Sequence, residues 1–201
     1  IEIFVDHTGP MTATVADNAL LLEVLAGDDG YDSRIKAPKV DEYTKALGGG
    51  VKGLKIGILK EGFEQAGAET AVNESVREAA KRLRSLGATV EDVSVPMHMM
   101  GPASWTPIGT EGMTQTMMYG DGYGLSRSDL YSTSLMDFHR GWRRQADSLS
   151  ETTKLFLLLG TYINNKFGPR YYGKALNVSR RLTAAYDAVL KDYDLLLLPT
   201  T

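Results

Sequence analysis

The chain has no cysteine. That excludes disulfides, thiolate nucleophiles, zinc ribbons and cysteine-bound iron–sulfur clusters together, and it fits a reducing, cytoplasmic setting. Histidine is scarce as well. His7, His98 and His139 show no HxxH, HExxH or HxH spacing, so they read as surface or turn residues and not as metal ligands. Charge of one sign is missing: 22 Lys+Arg against 25 Asp+Glu leave a net charge of -3. This gives no electrostatic footprint for nucleic acid or an acidic membrane surface. The longest apolar stretches, such as Leu155–Gly160 and Leu195–Pro199, are far too short to span a bilayer. No serine stands in a G-x-S-x-G frame. Gly48–Gly53 reads Gly-Gly-Gly-Val-Lys-Gly; it lacks the frame of a phosphate loop and precedes a strand pattern, so it reads as a connector. Asp28, Asp29 and Asp32 lack the twelve-residue spacing of a calcium loop. Neither a metal nor another cofactor is expected.

What is present is an ordinary globular composition. The 201 residues are 43% hydrophobic and 23% charged, which is enough apolar surface to bury a core. Val15–Ala26 carries apolar residues at helical spacing and is followed by Gly27. Leu54–Leu59 reads as a strand. Thr70–Leu86 places Val72, Val76, Ala79, Ala80 and Leu83 on one face, with Gly87 closing the helix. Thr89–Val95 alternates as a strand up to Pro96. Residues 54–95 therefore predict a strand–helix–strand unit on a parallel or mixed sheet. Residues 102–193 read as mostly helical, broken at Gly120–Gly124 and Gly168-Pro169, and residues 194–198 return as a strand of the same sheet. No linker or repeat divides the chain. Ile1–Val5 already reads as a strand, and Asp194–Thr201 ends inside another, a pattern that predicts an internal piece of a longer protein.

The two tryptophans stand in different settings. Trp142, in Arg140-Gly141-Trp142-Arg143-Arg144, predicts a half-buried anchor stacked by arginine. Trp105 opens a helix at Pro102–Met118 rich in small neutral residues: Ser104, Thr106, Gly109, Thr110, Gly112 and Thr114. From composition alone core packing is the better reading, although small residues beside one large aromatic also line apolar ligand pockets.

Five segments together resemble the amidase signature family. They are Asp6-His7-Thr8-Gly9-Pro10-Met11-Thr12 through Asp17, Ala26-Gly27-Asp28-Asp29-Gly30-Tyr31-Asp32, Gly53-Leu54-Lys55-Ile56-Gly57, Leu159-Gly160-Thr161-Tyr162, and Asp192-Tyr193-Asp194 through Leu198-Pro199-Thr200. They come in family order and span almost the whole chain. The resemblance implies an α/β fold, a mixed central β-sheet flanked by helices, present here as an incomplete piece with residues 1–201 the C-terminal portion of one domain. It implies hydrolysis of a carboxylic amide to carboxylate and ammonia by a Ser–cis-Ser–Lys triad. The triad positions precede Asp6–Pro10, so no residue of this chain is assigned a catalytic role and the chain alone is expected to be inactive.

Where amidotransferase A subunits carry D-G-V-R-Y-G, this chain has Asp121-Gly122-Tyr123-Gly124-Leu125. The arginine that would clamp a charged substrate's carboxylate is missing there, although Arg127 is close in sequence. The resemblance also moves Trp105 to the pocket position of nitrile-hydratase-associated amidases. It is named, with Ile108, as a substrate-binding candidate for a small neutral amide. The alternatives are the A subunit of a glutamine-dependent tRNA amidotransferase and a non-catalytic amidase-like binding module. The partners expected are the remainder of the domain and a second copy in a homodimer; neither nucleic acid nor membrane is among them.

Overall fold

The structure is a computed structural model that describes residues 7–30, 35, 37–63, 65–122 and 131–200. The strand expected at Ile1–Val5, the Tyr123–Leu125 stretch and Arg127 lie outside the described residues. Contacts group the chain into two compact units, Gly49–Ser104 with Leu176–Thr201, and Ile1–Gly48 with Trp105–Ala175.

The first of these holds the sheet. Strands β1 (Lys55–Leu59), β2 (Thr89–Val93) and β3 (Leu195–Leu197) lie in the order β2-β1-β3, all parallel, with Ile56 opposite both Val90 and Leu195. Central β1 is buried on both faces, as a parallel strand between helical layers must be. One face carries Ile56, Ile58 and Val90 against Val76, Ala80 and Leu83 of helix α3 (Thr70–Ser85). The other carries Leu59 and Val93 against Ala185, Tyr186 and Val189 of helix α7 (Arg170–Val189). The expected strand–helix–strand unit and its packing are therefore what the structure shows.

The α3 stripe ends as its sequence dictates. Gly87 takes φ +97°, its N–H reaches the Arg84 carbonyl and the Ala88 N–H the Leu83 carbonyl, the paired bonds of a Schellman stop. Strand β2 ends at Val93, two residues short of expectation. Glu61 contributes to this: its carboxylate accepts the Val95 N–H at 2.9 Å, taking that group away from the ladder, and also the Ser94 hydroxyl. Burial pushes the Glu61 carboxyl up, but the Ser94 and Val95 donors and the nearby His98 outweigh it, and its pKa lies below the ordinary value. His98 in turn sits 2.5 Å from the Tyr186 hydroxyl and meets its ring edge-on.

The other unit is helical. Helix α1 (Val15–Leu25) is capped by Thr14, whose hydroxyl oxygen accepts the Asp17 N–H at 3.1 Å. Glu23 of α1 accepts both the N–H and the hydroxyl of Thr44, at 2.7 and 2.8 Å, and so holds the single turn α2 (Tyr43–Ala46). Helix α5 (Thr133–His139) precedes α6 (Glu151–Phe167), which starts on a Ser150 cap and ends at Gly168, φ +62°, before Pro169. No helix among the described residues is long and apolar enough to cross a membrane.

Candidate functional site

The stretch that bears Trp105 begins as helix α4 (Gly101–Pro107) and then widens. Residues Ile108–Gly112 and Thr114–Tyr119 are π-helical, with five-residue steps such as Gly120 N–H to the Gln115 carbonyl at 2.9 Å. The sequence pattern predicts an unbroken helix over 102–118 and does not reveal the widening. Its physical causes are on the chain. Pro107 has no N–H to give and crowds the carbonyl one turn back. Thr110 and Thr116 turn their hydroxyls onto the carbonyls of Thr106 and Gly112, at 2.7 and 2.6 Å, a local competition that loosens the ladder. Widened turns of this kind recur at functional sites.

Neighbouring carbonyls at the far end of the widened stretch receive side chains. His139 Nε2 lies 2.9 Å from the Met117 carbonyl, Trp142 Nε1 donates to Met118 at 3.1 Å, and Arg143 donates to Met118 at 2.9 Å. Arg143 also pairs with Asp121 at 2.8 Å and stacks 4.9 Å from the Trp142 ring centroid. Trp142 is the arginine-stacked anchor that its sequence predicts. Asp121 itself stands at φ +52°, a backbone conformation that the Arg143 pair helps to hold.

Beside this end lies a cavity of about 230 Å³ lined by Met117, Asp121, Gly122, Tyr131, Ser132, Leu135, Met136 and His139. Its wall is mainly apolar. Its one described acid, Asp121, is neutralised by Arg143, so the cavity suits an uncharged group.

Trp105 stands at the other end. Its indole meets Phe156 of α6 edge-on at 5.8 Å and closes over Gly109, where an added Cβ would lie 3.4 Å from the indole Cζ2. Yet 48% of Trp105 stays exposed, while Ile108 is only 3% exposed. The structure brings the two candidates onto one helix and gives the indole one packed and one open side. The buried face of the same stretch also holds Thr110, Thr114 and Glu111; Glu111 is the one whose burial nothing in the sequence signals. The Glu111 carboxyl is pushed above its ordinary value by burial, partly offset by the Tyr172 N–H. Among the described residues no three His, Asp or Glu side chains are grouped as a metal site requires.

A parallel sheet covered on both faces, beside a helical unit with a widened, small-residue helix and an apolar cavity, is an α/β architecture. The Amidase family's sequence profile matches residues 1–201, and the chain belongs to that family. An enantioselective amidase of Rhodococcus rhodochrous is 39% identical over 203 residues, covering 100% of this chain and 39% of that protein. The A subunit of a glutamyl-tRNA(Gln) amidotransferase from Synechococcus sp. (strain WH7803) is 36% identical over 198 residues, covering 97% and 40%. In fold, the chain is similar to a bacterial aryl acylamidase of the amidase signature family, with TM-score 0.66 at 23% identity over 96% of this chain and 37% of the other. The chain thus spans about 40% of the length of the curated relatives it matches.

Proposed function

We propose that residues 1–201 belong to the later portion of a single amidase signature domain, in a cytoplasmic enzyme that hydrolyses small neutral amides to carboxylate and ammonia. Family membership along the whole chain carries this reading. The remainder of the domain would supply the Ser–cis-Ser–Lys triad: one serine attacks the carbonyl carbon, the bridging serine relays its proton to the lysine, and ammonia leaves as the acyl-enzyme forms. Water then attacks the acyl-enzyme to release the acid. Trp105 and Ile108 would bind the substrate, the open side of the indole forming a flat wall against an alkyl or aryl group.

The experiment is ammonia release by the complete polypeptide from aliphatic and aryl monoamides. Turnover by this polypeptide without any partner supports the reading. No turnover of any amide, with conversion of glutamyl-tRNA once partner proteins are added, would replace it with the amidotransferase reading, which the 36% identity to such an enzyme's A subunit supports.

A further inference from the structure

Asp121 forms part of the wall of two cavities of opposite character. One is the apolar cavity of about 230 Å³, with Met117, Leu135 and Met136 on its wall. The other, of about 450 Å³, is lined by charged side chains alone: Asp121 and Asp137 with Arg140, Arg143 and Arg144. Three guanidiniums against two carboxylates leave one positive charge in excess there.

The three arginines are not equivalent. Arg143 is committed within the protein: Nη1 donates to Asp121 at 2.8 Å, Nη2 to the Met118 carbonyl at 2.9 Å, and the guanidinium stacks on the Trp142 ring. Arg140 comes no closer to Asp121 than 3.9 Å, too long for a hydrogen bond. Arg144 has no ion-pair or hydrogen-bond partner among the described residues. Two guanidiniums with unmatched donors thus stand beside an anchored third. Asp121 holds its place at φ +52°, a region that residues other than glycine seldom enter. Backbone outliers of this kind gather at ligand clamps.

We propose that the two cavities form one binding site for a small organic acid. Its apolar group would lie in the cavity walled by Met117, Leu135 and Met136, and its carboxylate on Arg140 and Arg144. The planar fork of a guanidinium matches the two oxygens of a carboxylate, and an apolar cavity receives the group that carries it. Arginines alone would take any anion, and the apolar cavity alone any uncharged group; their junction at Asp121 selects a molecule with both parts. Arg143 matches the charge of Asp121, so the ligand's carboxylate completes an alternation of charges. Asp121 still repels it, which keeps the affinity modest. An acid of this class is what the proposed hydrolysis would release from an alkyl or aryl amide. That link rests on the amidase reading; the binding does not.

The test is calorimetric titration of the complete polypeptide with phenylbutanoate, with phenylbutanol, which keeps the shape without the charge, and with acetate, which keeps the carboxylate without the apolar group. This comparison needs no variant. Three variants locate the site: Arg140→Gln together with Arg144→Gln, Leu135→Asp, and Asp121→Asn. Arg140 and Leu135 have 68% and 63% of their surface exposed, so the core does not depend on them, and asparagine tolerates a positive φ. Phenylbutanoate is expected to bind one-to-one with a Kd on the order of 1 mM or tighter, and about tenfold more tightly than the alcohol or acetate. The double arginine variant should bind it about tenfold more weakly, the scale of a lost charge-assisted hydrogen bond. Leu135→Asp should weaken it as well, and Asp121→Asn should tighten it several-fold. Equal binding of acid and alcohol, or unchanged affinity in the double arginine variant, overturns the proposal. Acetate bound as tightly as phenylbutanoate, or unchanged affinity in Leu135→Asp, overturns the joining of the two cavities. Weaker binding by Asp121→Asn overturns the role given to Asp121. Failure of the amidase reading is seen separately, as absence of amide turnover in the parent, since none of the three probes carries an amide.

Discussion

Gly160 and Thr114 touch backbone to side chain: a Cβ built on Gly160 would run into the Thr114 hydroxyl and come within 2.5 Å of the Thr110 carbonyl oxygen. The obstacle is a fully buried threonine and a backbone atom, neither of which can swing aside. Glycine is a poor helix former, so Gly160→Ala should gain up to about 1 kcal/mol from propensity. Overpacking costs about 1–3 kcal/mol, and here it should win. The expected outcome is a lower midpoint of urea unfolding in the complete enzyme, with activity reduced alongside. A stabilised variant would mean that α6 can slide away from the widened helix at no cost.

Gly57 offers a contrast within the sheet. Its added Cβ would meet methyl groups of Val93 and Leu196 at 2.8 and 2.9 Å, flexible side-chain ends and not backbone. Gly57→Ala should therefore cost less than Gly160→Ala, on the order of 1 kcal/mol, and Gly57→Ala combined with Val93→Ala should recover part of the loss. A double variant no better than the sum of the two single changes would show that the strands, and not the methyl groups, take up the strain.

Most of the α/β frame is legible in the sequence because local signals and long-range packing agree there. The stripe Val76, Ala80, Leu83 and the apolar runs of β1 and β3 point to the same core that the structure builds. The widened helix is not legible, since a π turn has no hydrophobic period of its own; its causes are single residues, Pro107 and the back-bonding Thr110 and Thr116. Glu111 is hidden for a related reason. A carboxylate in a sequence reads as a solvated face, and only the packing of α6 against the widened stretch shows it buried.

Glu61 makes stability depend on acidity. Its carboxyl is held below the ordinary value of 4.5 in the folded chain by Ser94, Val95 and His98, against the opposing effect of burial. A depressed folded pKa means that the unfolded chain binds the proton more tightly. The contribution is thus complete above about pH 4.5 and is lost as pH falls through the folded value. Urea midpoints of the parent and Glu61→Gln, measured from about pH 7 to about pH 3, should differ in the parent's favour at neutral pH and converge in acid. A gap that stays constant across that range would remove Glu61 as the cause.

Residues 1–201 expressed alone should self-associate. Val24 of α1 is 76% exposed and Leu158 of α6 is 70% exposed, and Val15, Leu20, Leu25, Leu155 and Tyr162 are open beside them on the same two helices. Apolar surface of this kind is covered by other protein or drives association. Sedimentation at micromolar concentration should show oligomers and strong binding of an apolar dye. A monodisperse monomer with a cooperative melt would show instead that these faces need no cover, and would count against the chain's being part of a larger domain.

Trp105 separates a pocket wall from a core residue. Its indole is packed on one side by Phe156 and Gly109 and open on the other. If the open side faces the acyl group of an amide, it touches substrate and transition state alike, and uniform binding of that kind appears in KM. Trp105→Ala in the complete enzyme should then raise KM for a bulky amide, by about 10–200-fold for a loss of roughly 1–3 kcal/mol, with kcat changed less. Acetamide, too small to reach the indole, should be affected much less. The packed side predicts a second, separable effect, a modest fall in melting temperature from the lost contact with Phe156. Trp105→Phe should recover much of the stability because an aromatic edge is kept. It should recover less of the KM, because the flat wall is shorter. If Trp105→Ala lowers turnover of every amide in equal measure, and the loss follows the fall in stability, Trp105 is a core residue and the pocket assignment fails.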